Sequence, residues 1–240
     1  MKGILLAAGR GVRLSPLTDY NPKPLLRVGG KPILQRIIEG LQICGVGDLA
    51  IVVSHLADQI IEYFGDGARF NVNIHYFHQK IVDGTARAVL PAADFIQNEP
   101  FFLGYGDVLV DLQDYRAFFQ AYQNALSDSL LAAWASDTPW TGGVLVIQNE
   151  RLVDLVEKPA KGTEPGNLIN AGLMVLQPEV FDHIRQVKPS PRGEYELTDA
   201  LLSLARSSTV RIHQLKTFWS DIGTFDKLRQ ADRYFQHKKR

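Results

Sequence analysis

Ile4-Leu5-Leu6-Ala7-Ala8-Gly9-Arg10-Gly11-Val12-Arg13-Leu14-Ser15-Pro16-Leu17-Thr18 begins with five apolar residues and then breaks into glycine and arginine. A short continuous apolar run that stops at glycine suits a strand buried on both faces of a parallel sheet. Downstream, Ile33, Leu34, Ile37, Ile38 and Leu41 form a helical stripe, with Pro32 where a first helical turn tolerates it. Residues 49–53 read as the next strand and 57–64 as the next helix, followed by strand 72–76, helix 85–95 and strand 100–103. This alternation predicts an α/β fold: a three-layer, doubly wound, mostly parallel sheet of Rossmann-like type. Right-handed crossovers then bring the loop after the first strand to one common edge of the sheet.

The second half is less regular. Residues 115–126, 195–205 and 226–235 read as helices; 130–135, 143–147, 152–156, 173–176 and 211–215 read as strands. Residues 160–166 form a polar Gly/Pro loop, and the basic end 237–240 is expected to fray. There is no repeat and no low-complexity linker, so 1–240 reads as a single domain.

Of the 240 residues, 45% are hydrophobic and 22% charged, an ordinary globular mix. Lys+Arg and Asp+Glu both total 26, so no global field favours nucleic acid or an anionic membrane. Phosphate binding must come from locally placed cations and backbone amides. The single cysteine, Cys44, excludes an internal disulfide framework and reads as a packed helix residue. The apolar start is too short for a signal peptide, and no stretch is long enough to span a bilayer, so a cytoplasmic protein is the expectation. The six histidines show no ligand spacing and are read as non-catalytic.

Gly9 and Gly11 let backbone N–H groups approach an anion, and Arg13 adds a planar fork of donors. Leu14 stands where a dinucleotide fingerprint needs its third glycine, and no Gly-Lys-Ser/Thr follows, so both common phosphate loops fail. On spacing alone an ordinary turn with a solvated arginine stays open. Asn21-Pro22-Lys23-Pro24-Leu25 then presents one lysine from a segment stiffened by two prolines. Asp107 ends a buried strand, and Asp221 recurs in Trp219-Ser220-Asp221-Ile222-Gly223-Thr224; singly, each could be a turn or cap. Asp111, Asp114 and Asp128 match nothing and are expected at the surface.

Gly9-x-Gly11-x-Arg13-x-x-Pro16-Leu17-Thr18 followed by Pro22-Lys23-Pro24 resembles the sugar-1-phosphate nucleotidyltransferases, the NDP-sugar pyrophosphorylases that include glucose-1-phosphate thymidylyl- and uridylyltransferases. The resemblance runs from Lys2 to about Phe225. It implies a nucleotide-diphospho-sugar transferase fold, with 1–110 mainly nucleotide-binding and 111–240 mainly sugar-binding. Leu6, Ala8, Gly9, Gly11, Gln79, Gly84 and Thr85 would then bind the nucleotide, and Arg13, Lys23 and Lys158 would be catalytic. Gly143, Glu157, Asn170 and Gly172 would bind the sugar, although the region around Gly143 is a firmer match than that glycine. Asp107 and Asp221 would hold Mg²⁺, a hard cation suited to carboxylates and phosphates. Arg192-Gly193-Glu194-Tyr195-Glu196-Leu197-Thr198-Asp199 matches another family element and is read as a helix entry, with Thr198 and Asp199 packing and capping.

The implied reaction joins NMP from an NTP to a sugar 1-phosphate, with UTP or dTTP favoured and GTP open. Two other readings stand beside it: activation of a non-sugar acceptor such as phosphocholine, and a non-catalytic subunit that senses sugar nucleotides. Longer relatives carry a left-handed β-helix after this domain; a chain ending at Arg240 is expected to lack it. A homo-oligomer stays open.

Overall fold

A computed structural model describes residues 1–238. The first half contains β1 (Lys2–Leu6), a small hairpin of β2 (Arg27–Val28) and β3 (Lys31–Pro32), α1 (Ile33–Ile43), β4 (Asp48–Val53), α2 (Ala57–Phe64), β5 (Asn73–His78), α3 (Thr85–Val89), α4 (Ala93–Ile96) and β6 (Phe101–Tyr105). The second half adds β7 (Val108–Val110), α5 (Leu112–Gln123), β8 (Ser129–Ala135), β9 (Gly143–Gln148), β10 (Arg151–Glu157), β11 (Leu168–Leu176), α6 (Val180–Gln186), α7 (Leu197–Ser207), β12 (Val210–Gln214), β13 (Trp219–Asp221) and α8 (Phe225–His237).

Nine strands form one sheet in the order β5-β4-β1-β6-β11-β8-β12-β10-β9. β1 is flanked in parallel by β4 and β6, so Leu6 lies opposite both Val52 and Tyr105. The strand expected to be buried on both faces is buried that way: Ile4 and Leu5 are fully covered on opposite sides. Leu5, Ile51 and Phe102 join one core with α1, α2, α5 and α8, while Ile4, Val52 and Leu103 join another with α3, α4, α6 and α7. β11 runs against both β6 and β8, and β10 runs against both β9 and β12, while β8 and β12 are parallel, so the sheet is mixed rather than mostly parallel as expected. Among the described residues no helix is long and apolar enough to cross a membrane.

Three sequence expectations need correction. The helix over 85–95 is broken into α3, a 3₁₀ turn at Leu90–Ala92 and α4, because Pro91 has no N–H to continue the ladder. α6, β7 and the β2–β3 hairpin were not anticipated. Asp111 and Asp114 are not surface residues: they are 1% and 4% exposed, while Asp128 is half-buried against Arg211. Of the end expected to fray, His237 closes α8, and residues 239–240 lie outside the described residues.

Asp111 caps α5 by accepting from Gln113 N at 2.9 Å, and it also accepts from Tyr234 Oη at 2.8 Å and from Lys238. This carboxylate thereby fastens α8 to the sheet. Burial pushes its pKa up, but those donors more than offset that and hold the group below its ordinary value. A lowered folded pKa means the stabilisation is complete above about pH 4 and is lost as pH falls through the folded value. Asp111→Ala should therefore cost about 2–3 kcal/mol in urea unfolding at pH 7. The gap between variant and parent should narrow below pH 4.

Candidate functional site

At the carboxyl ends of β1, β5 and β6 the chain leaves the sheet and opens a cleft of about 430 Å³. Its walls include Leu6, Ala8, Gly9, Gly11, Gln79, Gly84 and Thr85, which are all seven residues expected to meet the nucleotide. Arg13, Lys23 and Asp107 line the same cleft. The glycine loop is fixed from below: Ala7 N donates to Val52 O and Gly106 N donates to Leu6 O, both at 2.8 Å. Gly11 has φ +68°, and a Cβ there would meet Lys23 Cβ at 3.2 Å. The loop therefore lies directly on Lys23, which is only 7% exposed.

At the other end of the cleft Gln79 is buried and donates to Gly84 O at 3.2 Å. Gly84 has φ +135°, and a Cβ there would come within 2.3 Å of the Tyr195 backbone. Tyr195 N donates to Asp83 O, Ala86 N donates to Tyr195 O, and the Arg87 guanidinium stacks 3.5 Å from the Tyr195 ring centroid. The Thr85 hydroxyl accepts from Leu197 N at 3.0 Å and so caps α7. That corrects one expectation: the cap comes from Thr85 rather than from Thr198 or Asp199, although Thr198 is packed as expected.

Asp107 and Asp221 are brought together by a second, two-stranded sheet. β13 pairs antiparallel with β7, Asp221 lies opposite Val108, and Ile222 N donates to Asp107 O at 2.8 Å. Asp114 steadies the approach to β13 by accepting from the backbone N of Lys216 and Thr217 at 3.0 and 2.8 Å. Lys23 pairs with Asp107 and Lys227 with Asp221. A Cβ on Gly223 would lie 2.9 Å from an Arg13 terminal nitrogen, so the arginine folds across this glycine. Asp107 lines the cleft and Asp221 lies on the neighbouring strand, outside the cleft lining; each carboxylate already holds a cation, and oxygen donors of this kind suit Mg²⁺. Among the described residues no group of three His, Cys, Asp or Glu side chains is placed to hold a metal.

The residues expected to bind the sugar lie beyond Tyr105 rather than on the cleft wall itself. Glu157 is the cross-strand partner of Gly143, and its Oε2 lies 3.1 Å from where a Gly143 Cβ would sit. Lys158 is exposed, holds a left-handed φ of 43°, and places Nζ 3.7 Å from Glu157. Asn170 Oδ1 accepts from Gly172 N at 3.0 Å within a bulge of β11. Gly172 has φ +72° and presses on the Tyr105 ring. Tyr105 thus separates and joins the two halves; burial first, then Glu157 and Asp107, push its phenol pKa up, so it stays protonated.

Arg192, Glu196 and Thr198, which the sequence reading placed in a helix-entry element without a ligand role, stand beside Glu157 and Gly143. Arg192 reaches Glu196 at 2.6 Å and Glu157 at 3.5 Å, and its bond to Glu196 raises its pKa. Thr198 is buried against Gly143, and its hydroxyl has no partner among the described residues. The motif match around Arg192 was the available signal, but it pointed to a helix entry. Cys44 is buried under Tyr115, and burial pushes its thiol up to about 12, which keeps it a packing residue.

A sequence profile of the Nucleotidyl transferase family matches residues 2–238. The chain is 37% identical over 239 residues to the bifunctional protein GlmU of Methanococcus maripaludis, covering 99% of this chain and 55% of that one. It is 32% identical over 237 residues to a glucose-1-phosphate thymidylyltransferase of Streptomyces griseus, covering 97% and 65%. The chain therefore spans about half to two thirds of the length of these relatives. A crystal structure of UDP-glucose pyrophosphorylase complexed with UDP-glucose superposes with a TM-score of 0.89 at 26% identity, covering 100% of this chain and 99% of that one. With its glycine loop, Lys23 and Asp107 lining one cleft and a family match over nearly its whole length, this chain belongs to the Nucleotidyl transferase family.

Proposed function

We propose that the chain transfers NMP from an NTP to a sugar 1-phosphate in the cytoplasm, with UTP or dTTP preferred over GTP. The observation that carries this is the meeting of Arg13, Lys23 and Asp107 with the glycine loop in one cleft, with Glu157 and Gly143 beyond Tyr105. A sugar-phosphate oxygen attacks the α-phosphorus, the new P–O bond forms, and the bond to the β-phosphate bridging oxygen breaks to release pyrophosphate. The attacking phosphate is already ionised at neutral pH, so no general base is required. Positioning and charge neutralisation do the catalysis.

In this scheme the backbone N–H groups around Gly9 and Gly11 face the phosphates, and Arg13 steadies the departing pyrophosphate. Lys23 and Lys158 bring two mutually repelling anions together. Gln79 and Gly84 meet the base, while Glu157 and Asn170 hold sugar hydroxyls beside Gly143 and Gly172. Arg192 orients Glu157. Mg²⁺, held by Asp107 and Asp221, would neutralise charge on the α-phosphate.

Pyrophosphate release should be measured over UTP, dTTP, GTP, CTP and ATP against a panel of sugar 1-phosphates, with and without Mg²⁺. Release that depends on one sugar 1-phosphate supports the assignment; release with phosphocholine alone, or none with any acceptor, sinks it. Asp107→Asn and Asp221→Asn should each lower turnover by about 10²-fold or more while the far-UV spectrum stays that of the parent. Gly223→Ala should lower turnover by about tenfold with little change in Tm, because its Cβ displaces only the far end of Arg13.

A further inference from the structure

Lys227 is used by nothing in the scheme above. It stands in the first turn of α8 directly after Asp226, and its backbone N donates to the capping Thr224 hydroxyl. A cation there opposes the positive end of the helix, so its side chain needs a compensating anion. That anion is Asp221. The two lysines facing the carboxylate pair differ sharply in their surroundings. The Lys23 side chain is 8% exposed, walled in by Gly11 and held between prolines. The Lys227 side chain is 37% exposed, on an open helix start, with the Trp219 ring centroid 5.8 Å from its Nζ. One ammonium is built in; the other can swing into water or over the indole face.

We propose that Lys227 is a displaceable counter-ion: it occupies Asp221 until a divalent cation competes it away, and so sets the cation affinity of the site. This rests on the assignment of Asp107 and Asp221 as cation ligands. A fixed Lys23 and a movable Lys227 give the pair a defined order of opening. Asp221 is released first, and Asp107 gives up its lysine only as Lys23 turns toward phosphate. Lys227 acts here as a positioning residue.

Mn²⁺ binding to the protein without substrates, followed by electron paramagnetic resonance of the free ion, tests this directly. Lys227→Met and Lys227→Gln should each tighten Mn²⁺ by about fivefold, the scale of a partly exposed ion pair, whereas Lys227→Arg should stay close to the parent. Asp221→Asn should weaken binding in every background. Unchanged or weaker Mn²⁺ binding in the Met and Gln variants, with the Asp221→Asn effect intact, would overturn the role of Lys227 alone. Equal Mn²⁺ binding in the parent and Asp221→Asn would instead overturn the carboxylates as ligands.

Discussion

The flush parallel pairing of β1 between β4 and β6 is the constraint from which the site follows. Because Leu6, Val52 and Tyr105 stand in register, three chain segments leave the sheet at the same height. Each then has backbone groups to satisfy, and each does so on its neighbour: Ala7 on Val52, and Gly106 on Leu6. The glycine loop is thus rigid where it begins and free of side chains where it faces the cleft. Gly9 has open space around its missing Cβ, whereas Gly11 and Gly106 are packed hard against Lys23 and Leu6. The same residue type serves opposite ends, access in one place and close approach in the others.

Electrostatics in a chain with no net charge has to be local, and the cleft shows how that is arranged. Lys23 is buried almost completely, which is costly for an ammonium unless it is paired, and Asp107 provides the pair. In the proposed reaction, breaking that pair for a substrate phosphate would exchange one anion for another, so the lysine would never be left bare. Arg13, by contrast, is exposed and rests across Gly223, where reorienting costs little desolvation. The buried cation gives precision and the exposed one gives reach.

The local parts of this site were legible in the sequence. Gly9, Gly11, Lys23 and Gln79 fall in short motifs whose backbone needs are written in glycine and proline, and they line one cleft. Most of the alternation of strands and helices over the first hundred residues could be read from apolar periodicity, since buried parallel strands leave continuous runs. Pro91 was equally visible, yet the apolar stripe across it read as one helix. Asp111 and Asp114 were misread for a different reason. Nothing local distinguishes a carboxylate that caps three backbone amides from one that faces water, because its partners at 216–218 and 234 arrive from the far end of the chain. The Thr85 cap on α7 and the Arg192 bridge to Glu157 were hidden by the same distance in sequence.

Those long-range contacts explain how the Gln79–Gly84 end and the Glu157–Gly143 end, built from different halves of the chain, keep a fixed spacing. The segment 190–198 touches both. Tyr195 is clamped onto Gly84 through backbone bonds, Leu197 N is capped by Thr85, and a few residues away Arg192 and Thr198 reach Glu157 and Gly143. Main-chain hydrogen bonds hold the Tyr195 end, and the Thr85, Arg192 and Thr198 side chains fix the rest of the strap. In-line transfer is intolerant of an ångström-scale error between attacking and receiving groups. For the transfer proposed above, a rigid strap between the two ends meets that demand more directly than either half could alone, and it would place the variable chemistry of sugar and base on either side of a constant distance.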